Sequence, residues 1–183
     1  MRTERFIEKL YYGKKRKTGH PFTSHMYAVK QALVNLGVSD EEVLEAALLH
    51  DVLEDTDLSK NYLALRFGER VAHIVYLLSK RDVWNTGYCK MKSNMDEMES
   101  AWIQYPEAII IKMSDRLHNL QTIQGFSVPK QREYIQETHE TLLPVFKMIL
   151  EKVPLETYKK VVESLYGQLK KELQAIQLRL KTP

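Results

Sequence analysis

AALLHDVLEDTDL, residues 46–58, opens as an apolar helix and then sets His50, Asp51, Glu54, Asp55 and Asp57 into the same run. The first half belongs in a core. The carboxylates do not, because a buried charge is held only where something compensates it. Helical spacing puts residues three and four apart on one face. His50 therefore aligns with Glu54, and Asp51 with Glu54 and Asp55, on the helix taken to contain residues 46–55, the third helix being expected over about 40–53. His50 and Asp51 lie about 100° apart around the axis and can still reach one ion placed between them.

A second polar stripe interrupts an apolar helix in IIIKMSDRLHNL, residues 109–120, where His118 stands three and Asn119 four residues after Asp115. A third candidate is His25, in the first turn of a helix over about 22–36. Imidazole and carboxylate ligands without thiolate favour Mn, Fe, Mg, Co, Ni or Zn as the divalent ion. A set of His25, His50, Asp51 and Asp115 from three helices would compensate the carboxylates and leave positions open for water. Each residue also has an ordinary reading. His25 could be a surface or hydrogen-bonded histidine, Asp115 could pair with Lys112 or Arg116, and Glu54 and Asp55 could be an acidic helix end.

The rest of the chain reads as helix nearly throughout, with few glycines and prolines and no convincing alternating strand. A first helix is expected over 3–12, with Phe6, Ile7, Leu10 and Tyr11 on one side, and GKKRKTGHP, residues 13–21, as a basic loop. Ser39, with Glu42 three residues on, reads as a capping box for the third helix. Two helices, Ser59 to Phe67 and Glu69 to Leu78, hinge at Gly68. A loop over 80–90, a Met-rich helix over 91–104 and an apolar helix over 107–123 follow. One helix over about 130–151, kinked or shortened at Pro144, and another over 155–180 complete the pattern. The fold class expected is all-α.

Composition narrows the function classes. The 183 residues suit one domain with a helical extension. No run is long and apolar enough for a membrane span, and the N-terminus lacks a secretory h-region. One cysteine, Cys89, excludes an internal disulfide and fits a reducing, cytoplasmic setting. Residues 1–20 carry seven Lys/Arg against two Glu, whereas residues 40–57 carry eight Asp/Glu and no Lys or Arg. That polarity suits a bound cation beside an anionic ligand, or simply two solvated faces. Nucleic acid is disfavoured, because the basic run is short and has neither an aromatic platform nor a reader motif.

RKTGHPFTSH (16–25), AALLHDVLEDTD (46–57), FGERV (67–71) and KMSDRLHNLQT (112–122) together resemble the HD-type hydrolase domain of RelA/SpoT-type proteins. The resemblance runs over about 1–150, leaving 151–183 as a C-terminal helix packed on that domain or on a partner chain, so that a homo-oligomer stays open. It implies a single HD-domain helical fold and Mn²⁺-dependent hydrolysis of (p)ppGpp to GDP or GTP plus pyrophosphate. Because the chain stops near the end of that domain, the expectation is a stand-alone small alarmone hydrolase of the metazoan SpoT-homologue kind. Carried over by position, the metal ligands are His25, His50, Asp51 and Asp115, and the catalytic pair is Glu54 and Asp55. The guanine-nucleotide contacts are Arg16, Lys17, Thr18 and Asn119. Met26 stands where the family usually has proline, and His20 where it has an acidic or small residue. Two further readings remain: the same site acting on the NADPH 2′-phosphate or a nucleoside monophosphate, and a non-catalytic nucleotide- or nucleic-acid-binding module.

Overall fold

The computed structural model describes residues 2–79, 104–152 and 158–181. The loop expected at 80–90 with Cys89, and nearly all of the helix expected at 91–104, lie outside them. The described residues are all-α: α1 (Arg2–Leu10), α2 (Thr23–Asn35), α3 (Glu41–Leu49), α4 (Val52–Asp55), α5 (Lys60–Phe67), α6 (Glu69–Leu78), α7 (Pro106–Gln121), α8 (Val128–Glu137), α9 (Leu143–Lys152) and α10 (Lys159–Lys181). Among them the one extended pairing is an isolated bridge between Lys15 and Pro21, which folds the basic loop back on itself.

α7 is the axis of the fold. Every residue from Ala108 to Leu117 is buried, including Lys112, Ser114, Asp115 and Arg116. A helix apolar around most of its circumference has to be covered on several sides. α2, α6 and α10 supply that cover, and α3 packs in turn on α1, α2 and α6. α10 lays Leu165, Leu169, Leu173 and Ile176 into the core, largely against α7. Ile110→Ala removes a fully buried side chain at this centre, and the unfolding free energy falls by about 2–5 kcal/mol. Leu65→Ala, at a residue 91% exposed, changes it by less than about 0.5 kcal/mol. Urea midpoints measured side by side check both.

Three local expectations need correction. First, the third helix is capped by Asp40 rather than Ser39. The Asp40 carboxylate accepts from the Glu42 N–H at 3.0 Å and the Val43 N–H at 3.3 Å. It also accepts from both terminal nitrogens of Arg70, at 3.1 and 2.9 Å. A carboxylate can hold a cap and a guanidinium together, which a serine hydroxyl cannot, and Arg70 also reaches Glu42 and Glu107 to tie α6 to the starts of α3 and α7.

Second, the helix through residues 46–55 is not continuous. α3 ends at Leu49, and a short helix restarts at Val52. Asp51, at φ −93° and ψ −6°, leaves the regular helical well, and its carbonyl accepts the N–H groups of Glu54 and Asp55. Third, the span 130–151 is two helices joined by a π-turn at Thr138–Leu142. Pro144 has no N–H for the Glu140 carbonyl, and the wider π spacing just before it fits that missing bond. Gly68, at φ 99°, makes the sharp turn between α5 and α6, a conformation that a Cβ would strain.

Candidate metal centre

His50 and Asp51 stand at the break between α3 and α4. Here the His50 Nε2 lies 3.2 Å from the Asp51 Oδ2. The third residue of α2 brings the His25 Nε2 to 3.1 Å from the His50 Nε2 and 3.7 Å from the Asp51 Oδ2. From the middle of α7 the Asp115 Oδ1 comes within 3.0 Å of the His25 Nε2 and 3.8 Å of the His50 Nε2. Two imidazole nitrogens and two carboxylate oxygens from three separate segments thus face one point.

The donor set suits a divalent cation. Metal–ligand bonds of about 2.1 Å place neighbouring ligand atoms roughly 3–3.5 Å apart, close to the separations between these atoms. The His50 Nδ1 lies 2.8 Å from the Ala47 carbonyl, which can only accept. The His50 Nδ1 therefore carries a proton, and Nε2 is the nitrogen left to ligate a cation. His25, His50 and Asp51 offer atoms that all lie within 4.8 Å of one another, and Asp115 closes on both imidazoles.

The electrostatics answer the puzzle of the buried acids. Burial acts to raise the Asp115 carboxyl, but the Lys112 ammonium, 3.5 Å away, and the bond to His25 hold it well below the usual carboxylate range. Burial likewise works against Asp51 ionisation, yet the charge and hydrogen bond of His50 keep it low. Burial pulls the His50 imidazole down, but the charge and bond of Asp51, with the charge of Asp115, push it up to about 9. Without a metal the cluster holds a proton instead, and a cation must displace it. Apparent metal affinity therefore rises with pH, by about tenfold per unit while one proton is displaced, and levels off above about 9. Calorimetric titrations in buffers of different ionisation enthalpy measure the released proton.

An open cleft of ≈ 230 Å³ lies over the cluster. Arg16, Lys17, Lys112 and Arg116 line it, and so do Asp51, Glu54 and Asp115. Arg16 donates to the Asn119 Oδ1 at 2.9 Å, and Asn119 donates in turn to the Asp115 Oδ1 at 2.6 Å. A hydrogen-bonded line thus joins the basic loop to the metal cluster. Thr18 packs closely over Gly125: a Cβ at Gly125 would lie 3.0 Å from the Thr18 Cγ2, and the threonine would have to shift by a few tenths of an ångström. Glu54 faces the cleft, while Asp55 accepts a hydrogen bond from the buried Tyr11 hydroxyl at 3.3 Å. Partial burial of the Asp55 carboxyl and the charges of Asp51 and Glu54 push it up to about 6, the Tyr11 bond working the other way.

Several contributors escape sequence reading. Tyr11 came through only as part of an apolar helix face. Phe126 and Tyr134 form an aromatic wall of the cleft, with the Lys17 ammonium 4.6 Å from the Phe126 ring centre. Neither sits in a motif, and no local signal in the sequence marked them. Arg116 is engaged elsewhere: its guanidinium lies 4.0 Å from the Tyr134 ring centre and bonds Glu137 and Thr138. That anchors α8 to α7. His118, exposed to view only as part of a stripe, lies 2.8 Å from His25, nitrogen to nitrogen. Burial, then the neighbouring charges of His25 and Arg16, lower it to about 4.

Among known proteins, the sequence model of one family, described as HD domain, matches residues 4–145. The chain is 38% identical over 148 residues to a guanosine-3′,5′-bis(diphosphate) 3′-pyrophosphohydrolase of Aquifex aeolicus, covering 79% of this chain and 20% of that protein. It is 34% identical over 144 residues to a GTP pyrophosphokinase of Streptomyces coelicolor, covering 79% of this chain and 17% of that protein. The chain thus spans about a fifth of the length of these curated relatives. Among solved structures it is similar to a metazoan ortholog of SpoT, described as hydrolysing ppGpp, with a TM-score of 0.69 and 22% identity over 96% of this chain and 94% of that one. That likeness carries the fold. Among the described residues no helix is long and apolar enough to cross a membrane.

Proposed function

The chain belongs to the HD-domain family, and from that premise we propose that it hydrolyses the 3′-diphosphate of guanosine polyphosphates, (p)ppGpp, to GDP or GTP and pyrophosphate. In this reading His25, His50, Asp51 and Asp115 hold a divalent cation, Mn²⁺ before the other candidates. The observation that carries it is the meeting of those four side chains at a cleft that Arg16, Lys17 and Lys112 also line. The names of the curated relatives supply the nucleotide.

When bound, the cation lowers the pKa of a coordinated water and polarises a phosphoryl oxygen. The chain's own residues do the rest. Glu54 and Asp55 orient the attacking water and take its proton. Tyr11 steadies Asp55 through its hydroxyl. Arg16 and Lys17, with Lys112 behind them, offset the charge of the diphosphates, and Asn119 and Thr18 contact the nucleotide. The Phe126–Tyr134 wall offers an apolar face to the base. The reaction needs no side-chain nucleophile and forms no covalent enzyme intermediate. The setting is cytoplasmic, where guanine nucleotides turn over.

The test is purified protein with Mn²⁺ and ppGpp, the products separated by chromatography. Stoichiometric GDP and pyrophosphate are expected. Orthophosphate released from NADPH or a nucleoside monophosphate, with ppGpp untouched, would transfer the site to another phosphorylated nucleotide.

A further inference from the structure

The two histidines of the cluster are oriented differently. His50 gives its Nδ1–H to a backbone carbonyl, which leaves one tautomer available. His25, 2% exposed, has no such partner: its Nδ1 meets the Nδ1 of His118 at 2.8 Å. An imidazole nitrogen can donate or accept, so this pair has two arrangements. In one, His25 carries its proton on Nδ1 and gives it to His118, and its Nε2 lone pair faces His50, Asp51 and Asp115. In the other, His118 is the donor, and His25 directs an Nε2–H at the same point. Only the first can ligate a cation.

We propose that His118 is a positioning residue that holds His25 in the Nδ1–H tautomer and so sets the affinity of the metal centre. His118 lies outside the cluster of ligand atoms, and its Nδ1 is spent on His25. It sits one turn beyond Asp115 on α7, so one helix supplies a ligand directly and orients another. Its ring also lines a second cleft, bordered by Asn35, Ser114 and Gln121. The bulk of the ring and its hydrogen bond must therefore be separated experimentally. This inference rests on the metal-centre reading above.

His118→Phe keeps a ring and removes the acceptor. His118→Asn loses bulk but keeps an amide oxygen near the position of Nδ1. Mn²⁺ titrations followed by the free-ion paramagnetic resonance signal read the affinity without any turnover. Binding is expected to weaken by about 10–100-fold in His118→Phe and to stay within about threefold of wild type in His118→Asn. In the Zn²⁺-loaded wild type, long-range ¹H–¹⁵N spectra are expected to find His25 protonated at Nδ1 and metal-bound at Nε2. His118→Phe binding as tightly as wild type, His118→Asn weakening as much as His118→Phe, or a His25 Nδ1 without a proton would each overturn the relay and leave the metal centre standing. A wild-type protein that binds no divalent metal would overturn both.

Discussion

On the proposed function, Asp51→Ala protein is expected to keep its helical fold, to fail to retain Mn²⁺ after dialysis and to hydrolyse ppGpp at least ~10³-fold more slowly. Asp51 is the better choice among the carboxylates for isolating metal loss. Its Oδ2 faces both imidazoles, at 3.2 and 3.7 Å. Asp115 has further structural duties, because it also pairs with Lys112 and accepts from Asn119 inside the central helix. Removing Asp115 would leave the Lys112 ammonium buried and unpaired, at a cost of about 3–5 kcal/mol for a broken buried pair. Asp51 is less enclosed and starts a four-residue helix, so its loss leaves the core untouched. Metal content by elemental analysis, circular dichroism and a steady-state assay check the three parts separately. A variant that keeps stoichiometric Mn²⁺ and a rate within tenfold of wild type would end the role assigned to Asp51.

Replacing the acid pair gives the opposite dissociation. The double variant Glu54→Gln, Asp55→Asn binds Mn²⁺ normally and loses about 10²–10⁴-fold in turnover, the range of a general base. Both side chains lie just past the metal-facing residues, and neither is within the cluster of ligand atoms. The pH profile adds a sign. Asp55 is pushed up to about 6 in the metal-free protein, and only its carboxylate can take a proton. Activity therefore falls as pH drops through that value, or through a lower one once a cation sits nearby. Asp55→Asn alone removes this acidic limb. Near-normal turnover in the double variant would transfer proton removal to another group.

Much of this architecture could be read from contiguous residues. Ala108–Leu117 announces a helix through its apolar run Ala108–Ile111 and the helical spacing of Met113 and Leu117. Ser59 and Gly68 mark the ends of α5 through a cap and a positive φ, both local effects. The break at His50–Asp51 was not legible, because residues 46–55 satisfy helical spacing whether or not the helix is continuous. The Asp40 cap was hidden for a similar reason. Ser39 and Asp40 are both good caps, and Arg70, thirty residues on, favours the carboxylate.

By itself the sequence determined the residue types, the helical periods and the polar interruptions in 46–58 and 109–120, since these depend on neighbours within a few turns. Tertiary structure alone decided that His25 meets His50 and Asp115, that Tyr11 reaches Asp55, and that His118 faces His25 rather than solvent. Those meetings come from α2 and the α3–α4 break packing beside α7. No local period encodes the distance between side chains some 25 to 93 residues apart; the need to bury α7 on several sides does.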